Sequence, residues 1–446
     1  MKQNRMSPIR LIPFSFLAAI LIGALLLMLP ISTADGEVTD PMTALFTSTT
    51  SVCVTGLVVV DTYSHWSFFG QLVILVLIQT GGLGVITVVS LLMLAGKKKL
   101  YLGDRMLLSD ALNIDKKKGL LSFVRRIFRG VLIVEGIGAF LFALEFVPRL
   151  GLWKGIWASV FQSVSAFCNA GMDVVGPDSM ISLRGSPLIM GVTMALIVLG
   201  GLGFVVWFDL IDTLKKGFRR IRLSEHTKLV LILTGLLILG GTLFILASEF
   251  NNPATIGNMD LPHKIENSLF QSITFRTAGF ASVPQDKLND LTCMGGTVLM
   301  FIGGSPVGTA GGVKTVTAFL FLLNALSYIT RRKENVIFGK AVSGELMRKS
   351  AAIFFFSMIS IFIMTGLLIA AEGLSQTDAF YEVVSALGTV GLSRGITPTL
   401  GFVGQLVIIV SMYFGRIGPI SIAILVARER GTDNSITHAK GKFYVG

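Results

Sequence analysis

The twelve residues Phe161-Gln162-Ser163-Val164-Ser165-Ala166-Phe167-Cys168-Asn169-Ala170-Gly171-Met172 decide how this chain reads. They are too short, and too polar at their end, to cross a bilayer, and they read as a short amphipathic helix that stops at a glycine. Three further stretches echo them: Phe46 to Leu57, ending Val-Thr-Gly-Leu; Leu269 to Phe280, ending Thr-Ala-Gly-Phe; and Tyr381 to Leu392, ending Thr-Val-Gly-Leu. Their glycines, Gly56, Gly171, Gly279 and Gly391, are separated by 115, 108 and 112 residues, each near a quarter of the 446-residue chain. Self-similarity at a fixed period marks a repeated architecture.

Composition says where such units sit. The chain is 52% hydrophobic and only 14% charged, less charge than a soluble protein carries. Several apolar runs reach the ~20 residues that a helix needs to cross a bilayer, so this is a polytopic membrane protein. Leu11 to Met28 follows a basic start but lacks a small-residue cleavage site and ends at Pro30, so it reads as a retained first span. Cys53, Cys168 and Cys293 are odd in number and unpaired in spacing, which implies neither a disulfide framework nor a zinc site.

The net charge of +12 is not spread as a nucleic-acid footprint. Lys97 to Arg129, Lys215 to Lys228 and Arg331 to Lys349 hold the basic residues, in alternate connections. The other connections are acidic or mixed, with Asp35, Glu37, Asp40 and Asp61 in the first unit and Asp260, Glu266, Asp286 and Asp290 in the third. Basic loops stay in the cytoplasm, which puts both termini inside a cell membrane crossed many times.

The fold expected is all-α, with four tandem units over 1–99, 100–211, 212–328 and 329–446. Each has an outer span, a half-length re-entrant helix and a span back. The outer spans are Leu11–Met28, Val124–Val147, Leu229–Phe250 and Ser350–Ala371. The re-entrant helices are Pro41–Cys53, Lys154–Phe167, His263–Phe275 and Thr377–Leu387. The return spans are Ser67–Ala95, Ser186–Leu210, a broken Leu291–Leu326 and Thr399–Arg428. Four units of one orientation permit a pseudo-fourfold arrangement around one pore.

Non-helical backbone at membrane depth survives only where protein buries it or where it lines a watery path. Four helix C-termini aimed at one axis favour a cation there. Glycine accepts φ > 0, so a glycine turn can point successive carbonyls inward, and stacked carbonyls can replace an ion's water shell. The turns hold no Asp or Glu, which suits a monovalent cation better than a divalent one. The competing reading, small packing residues between helices, explains one glycine better than four at one period.

In order along the chain stand Val54-Thr55-Gly56, Asn169-Ala170-Gly171, Arg276-Thr277-Ala278-Gly279, Gly303 to Thr315, Gly388-Thr389-Val390-Gly391 and Gly415-Arg416-Ile417-Gly418-Pro419. Together they resemble the Ktr/Trk/HKT superfamily of potassium transporters, most closely a Ktr-type membrane subunit, over the whole chain. The resemblance implies outer-helix, pore-helix, inner-helix hairpins. It implies a selectivity filter built from Val54, Thr55 and Gly56, Asn169, Ala170 and Gly171, Thr277, Ala278 and Gly279, and Thr389, Val390 and Gly391. Members with serine at the first filter glycine favour sodium, so Gly56 implies potassium. One glycine per turn, rather than a longer run, implies looser selectivity than a dedicated potassium channel. The register of the third pore helix stays open, because that turn is a residue shorter aligned from Phe270 than from Leu269. The resemblance also implies a homodimer on a ring of cytosolic nucleotide-binding (RCK-type) subunits. ATP or ADP would be held by that partner, and no cofactor by this chain beyond the K+, or Na+, that it moves. The basic loops and the tail from Gly431 to Gly446 are the candidate contacts.

The stretch 303–315 interrupts an apolar span with Gly303, Gly304, Ser305, Pro306, Gly308, Thr309, Gly311, Gly312 and Lys314. Glycine costs ~1 and proline ~3 kcal/mol against alanine inside a helix, so regular helix is excluded. The stretch is no Walker loop, because Val313 separates the last glycine from Lys314. It reads as a plug below the glycine turns, against a plain kink, and the resemblance implies an intramembrane gating loop there. Arg416 lies twelve residues before Arg428, roughly 18 Å along a helix, which is too deep for snorkelling and marks a functional cation. Its guanidinium is expected to donate to loop carbonyls and to repel cations from the closed pore, and the resemblance implies an arginine here.

Gly81-Gly82-Leu83-Gly84 and Gly200-Gly201-Leu202-Gly203 read as close-packing sites. Asp61, Asp173 and Glu382 read as loop acids rather than mouth-lining ones, and the four histidines as surface residues. The chain lacks the pairing that an enzyme would need. The function expected is potassium uptake gated by the loop and controlled by the partner, with sodium dependence left open. A less selective Na+/K+ channel or an ion-coupled carrier is the alternative, though carriers favour inverted repeats.

Overall fold

A computed structural model describes residues 8–84, 120–215, 223–331 and 334–418. The basic stretches at 97–118 and 216–222, the expected return-span continuations to Ala95 and Arg428, Pro419, His438 and the tail from Gly431 lie outside the described residues. The described chain is almost wholly helical. Its strands are two residues each, Val336–Ile337 paired with Lys340–Ala341.

The outer helices are α1 (Pro8–Leu27), α4 (Leu120–Leu150), α8 (Glu225–Glu249) and α12 (Gly344–Glu372). Three of them, α4, α8 and α12, are long and apolar enough to cross a membrane unaided. The half-length helices are α2 (Pro41–Cys53), α5 (Leu152–Cys168), α9 (Leu261–Phe275) and α13 (Gln376–Gly388). Asp40 starts α2 by accepting from the N–H groups of Met42 and Thr43, and Pro41 occupies the first turn, where its missing N–H costs nothing.

The return helices are broken as expected in the third unit and differ from expectation in the other three. They are α3 (Phe68–Leu83), α6 (Pro187–Leu202), α10 (Asp290–Phe301) and α14 (Phe402–Ile417). The first, second and fourth each stop at a glycine of positive φ: Gly84 at 87°, Gly203 at 89° and Gly418 at 89°. After Gly203 the chain restarts as α7 (Phe204–Lys215), bent by 98° from α6. The single span expected over Ser186 to Leu210 is therefore two helices, and the break in the third unit is not unique. There α10 ends at Phe301, and α11 (Thr315–Ile329) follows the glycine-rich loop.

Packing runs round the molecule. Each half-length helix packs on its own outer helix, and also on the return helix of the preceding unit: α5 on α3, α9 on α6, α13 on α10, and α2 back on α14. Serines join half-length to outer helices at matching places. Ser48 donates to the Ile20 carbonyl at 2.6 Å, Ser163 to Glu135 at 2.6 Å and Ser272 to Ile238 at 2.8 Å. Gly23, Gly138 and Gly241, three residues further along, leave room for those serines, whose Oγ would meet any added Cβ.

At the other end of three outer helices an acid grips the next return helix. Glu145 accepts from Ser186 Oγ at 3.2 Å, and Glu372 from Gly401 N at 3.1 Å and Gly404 N at 2.9 Å. Glu249 is 1% exposed and accepts from Asn252 Nδ2 (2.6 Å), Thr255 Oγ1 (2.7 Å), Asn289 N (3.0 Å) and Thr292 Oγ1 (2.5 Å). Replacing Glu249 by alanine is expected to cost about 3 kcal/mol, because several buried donors lose a charged acceptor at once. Thermal unfolding in detergent reads this, and Glu249→Gln should recover part of it.

Candidate ion-conduction site

The four glycine turns are built alike. Two residues before each glycine the chain enters the left-handed region, at Val54 (φ 56°), Asn169 (60°), Thr277 (66°) and Thr389 (49°). The glycines themselves have φ of 103°, 67°, 83° and 96°, where a side chain is strained. In three turns the residue before the glycine donates back five residues, as Thr55 N to Thr50 O at 2.9 Å; in the third, Ala278 N donates back four, to Thr274 O at 3.0 Å. That tighter closure absorbs the missing residue, so the third turn matches the others counted from Gly279, and Arg276 is an extra cap after α9.

Each half-length helix lends its turn one hydroxyl. Gly56 N donates to Thr50 Oγ1 (2.9 Å) and Gly391 N to Ser385 Oγ (3.1 Å). Ser165 donates to Met172 O (2.5 Å) and Thr274 to Phe280 O (2.7 Å). Sequence reading passed over these hydroxyls, although a Ser or Thr five or six residues before each glycine was the available signal.

The turns close on one another. A Cβ added at Gly56 would lie 2.5 Å from Ala170 O and 3.3 Å from Gly391 Cα. One at Gly171 would lie 2.8 Å from Ala278 O, one at Gly279 would strike Val390 O, and one at Gly391 would strike Thr55 O. The carbonyl preceding each glycine thus abuts a neighbouring turn, and the four make one closed ring. Four oxygens at four half-helix C-termini can coordinate a bare cation without a single carboxylate.

The loop after α10 sits against this ring. Gly303 N donates to Val313 O (3.0 Å), Val313 N to Phe301 O (3.2 Å) and Thr315 N to Gly304 O (3.0 Å), so the two feet of the loop are paired. Lys314 Nζ closes on Ala310 O at 2.5 Å, and Ser305 meets Thr315, hydroxyl to hydroxyl, at 3.2 Å. A Cβ on Gly311 would strike Thr389 Oγ1, and one on Gly303 would lie 3.1 Å from Thr277 Cγ2. Pro306 and Gly308 pack on Gly203 and Gly200.

Gly200 and Gly201 hold that loop rather than merely packing. Ser305 N donates to Gly201 O (2.9 Å), Thr309 N to Gly200 O (3.1 Å) and, in return, Phe204 N to Val307 O (2.9 Å). Thr309 Oγ1 donates to Phe167 O at 3.0 Å. The break at Gly203 frees the carbonyls that the loop uses.

Arg416 crosses to the loop from α14. Its Nη1 donates to Thr309 O at 2.6 Å, and its Nη2 to Gly81 O and, at 3.4 Å, to Gly82 O. Arg416 stands two residues before Gly418, as Gly82 and Gly201 stand two before Gly84 and Gly203. The guanidinium therefore projects from a position that is glycine in two sister units, and ties the first and fourth units to the loop.

The acids fall out as follows. Asp61 caps the one-turn helix Thr62–His65. Asp173 is buried two residues beyond Gly171. Glu382 is no loop acid: it lies within α13, fully buried, and accepts from Thr397. Cys53, Cys168 and Cys293 are free and buried.

The family model described as TrkH, cation transport protein, matches residues 7–437. The Ktr system potassium uptake protein B of Bacillus subtilis is 37% identical over 100% of this chain and 98% of its own. The potassium/sodium uptake protein NtpJ of Enterococcus hirae is 35% identical over 97% of this chain and 96% of its own. The crystal structure of the potassium transporter TrkH from Vibrio parahaemolyticus superposes with a TM-score of 0.74 at 18% identity, over 96% of this chain and 86% of that one.

Proposed function

We propose that this chain, which belongs to the TrkH family of cation transport proteins, takes up potassium through a pore at the centre of four pseudo-fourfold units. The chain is a membrane-embedded ion transporter and not an enzyme. The closed ring of glycine turns carries the proposal. We assign Val54 to Gly56, Asn169 to Gly171, Thr277 to Gly279 and Thr389 to Gly391 as its selectivity filter. The loop 303–315 is the gate and Arg416 its latch. The membrane is the cell membrane, with both termini in the cytoplasm.

Each turn contributes one glycine, so few carbonyl layers strip the ion. That supports a preference for potassium short of strict exclusion of sodium, and the potassium/sodium uptake protein of Enterococcus hirae supports the same. We assign control of the loop 303–315 to a separate cytosolic partner. The Ktr system proteins of Bacillus subtilis are named as parts of a system, which supports a separate partner; the arrangement proposed is a homodimer seated on a cytosolic nucleotide-binding ring, with ATP or ADP in the ring.

The test is rescue of growth at low potassium in cells that lack other uptake systems, with and without sodium. The chain should restore growth, and Gly279→Ala should not, since its Cβ meets Val390 O and Gly171 Cα. Rescue by both proteins would overturn the filter assignment. Rescue by the chain only when sodium is present would establish sodium dependence. Size measurement in mild detergent should find two chains per particle.

A further inference from the structure

Glu135 lies in the middle of α4, is 6% exposed and has no ion-pair partner among the described residues. Gln79 of α3 donates to it through Nε2 at 3.2 Å. Cys168, the last residue of α5, donates Sγ to Gln79 Oε1 at 3.5 Å and to Glu135 Oε1 at 4.0 Å. Ser163 donates to its backbone carbonyl at 2.6 Å. The carboxyl thus stands directly behind the turn Asn169-Ala170-Gly171, at the joint between the first and second units.

Among the described residues none forms an ion pair with Glu135. Helices α3 and α6 contain no charged residue, and α5 has only Lys154, in its first turn. On α4 itself the nearest charges are Arg129 and Glu145, about 9 and 15 Å away along the axis at ~1.5 Å per residue. Arg416 bonds Gly81 and Gly82, two and three residues beyond Gln79 on α3, and makes no bond with Glu135. A carboxyl so desolvated, with one amide and one thiol for company, ionises only where a counter-charge is near. The position behind a ring of carbonyls supplies one, namely the ion.

We infer that Glu135 is an affinity-determining residue: its negative charge acts through the Cys168 end of α5 to hold potassium in the ring, and the bound ion is its counter-charge. This rests on the filter reading. The charge draws in any monovalent cation, so it sets how tightly the ring is occupied and leaves the choice between potassium and sodium to the glycines.

The experiment is uptake into proteoliposomes containing the purified full-length chain, with the half-saturating potassium concentration and the potassium/sodium ratio both measured. Glu135→Gln keeps the shape and the bond with Gln79 but removes the charge. It is expected to raise the half-saturating concentration about tenfold, from a Coulomb effect acting over a few ångströms to a nanometre of protein, and to leave the ratio unchanged. Glu135→Asp should stay close to the parent. Gln79→Lys is the independent variant: its ammonium neutralises Glu135 in place and should raise the half-saturating concentration likewise. Parent-like half-saturation in folded Glu135→Gln, or in Gln79→Lys where Glu135→Gln does not fold, overturns the inference. So does a change confined to the maximal rate, which would make Glu135 a partner of Arg416 and the gate. Gly56→Ser in the same assay separates the two readings: if it shifts the ratio while Glu135→Gln does nothing, the filter stands and only the role of Glu135 falls.

Discussion

Gly56→Ser is expected to abolish most of the preference for potassium over sodium, at least tenfold by relative flux, and to lower total uptake. Two effects add. The backbone at Gly56 has φ of 103°, and a non-glycine residue held in such a region costs about 1–3 kcal/mol. Its Cβ would also sit 2.5 Å from Ala170 O and 3.2 Å from Gly171 Cα, so the ring must open there or the turn must rotate. Either response moves a carbonyl that a stripped ion requires, and ~1.4 kcal/mol lost from one ion relative to the other is a factor of ten. The same substitution at an outlying glycine gives the control. Gly36 also has positive φ, 77°, but nothing lies within 4 Å of an added Cβ. Gly36→Ser should therefore show the backbone cost without any change of selectivity. Equal ratios in parent and Gly56→Ser would remove Gly56 from the filter.

Much of this architecture is legible because it is repeated. Outer and half-length helices match their expected bounds within a few residues, since long apolar runs and the Pro41 and Asp40 cap are local signals. The glycine turns are legible from period alone. The return helices are so only in part: the break in the third is legible, and the stops at Gly84, Gly203 and Gly418 are not. The apolar run through Gly203 continues as Phe204-Val205-Val206-Trp207, and hydropathy registers no difference between a straight span and a 98° bend. The signal was the repeated Gly-x-Gly spacing at Gly82–Gly84 and Gly201–Gly203, with arginine in the first place at Arg416–Gly418, and it reads as packing until the φ values are seen. Single polar residues were lost for another reason. Ser163, Gln79 and Glu135 lie far apart in the sequence, and only the fold brings them to one place behind Cys168. Glu382 misled in the opposite direction, because a buried acid inside a short helix looks in sequence like an acid at its rim.

Removing the latch and removing the loop should release potassium flux to different degrees. Arg416 makes bonds to Gly81, Gly82 and Thr309, but only the bond to Thr309 distinguishes a seated loop from a displaced one. A charge-assisted bond is worth about 1.5–3 kcal/mol, so Arg416→Ala should shift the open–closed balance by roughly one to two decades. The loop would still be held by Ser305 and Thr309 on Gly201 and Gly200, by Val307 on Phe204 and by Thr309 Oγ1 on Phe167. Deleting Ser305 to Gly311 removes all of these together with the obstruction, and should exceed Arg416→Ala. The deletion is structurally feasible, because the feet already touch: Gly303 N bonds Val313 O, and a Cβ on Gly312 would lie 3.3 Å from Gly303 Cα. Both variants should conduct in proteoliposomes without a regulatory partner, with the potassium/sodium ratio of the parent, since the loop meets the side chains of Thr277 and Thr389 while the ring is closed by the carbonyls of Thr55, Ala170, Ala278 and Val390. Thr309→Val is the graded case, because it loses one side-chain bond and keeps the backbone bonds, so its flux should fall between the parent and Arg416→Ala. A folded, dimeric loop deletion that conducts no faster than the parent would leave the stretch 303–315 a kink that holds α10 against α11, and would move the gate elsewhere.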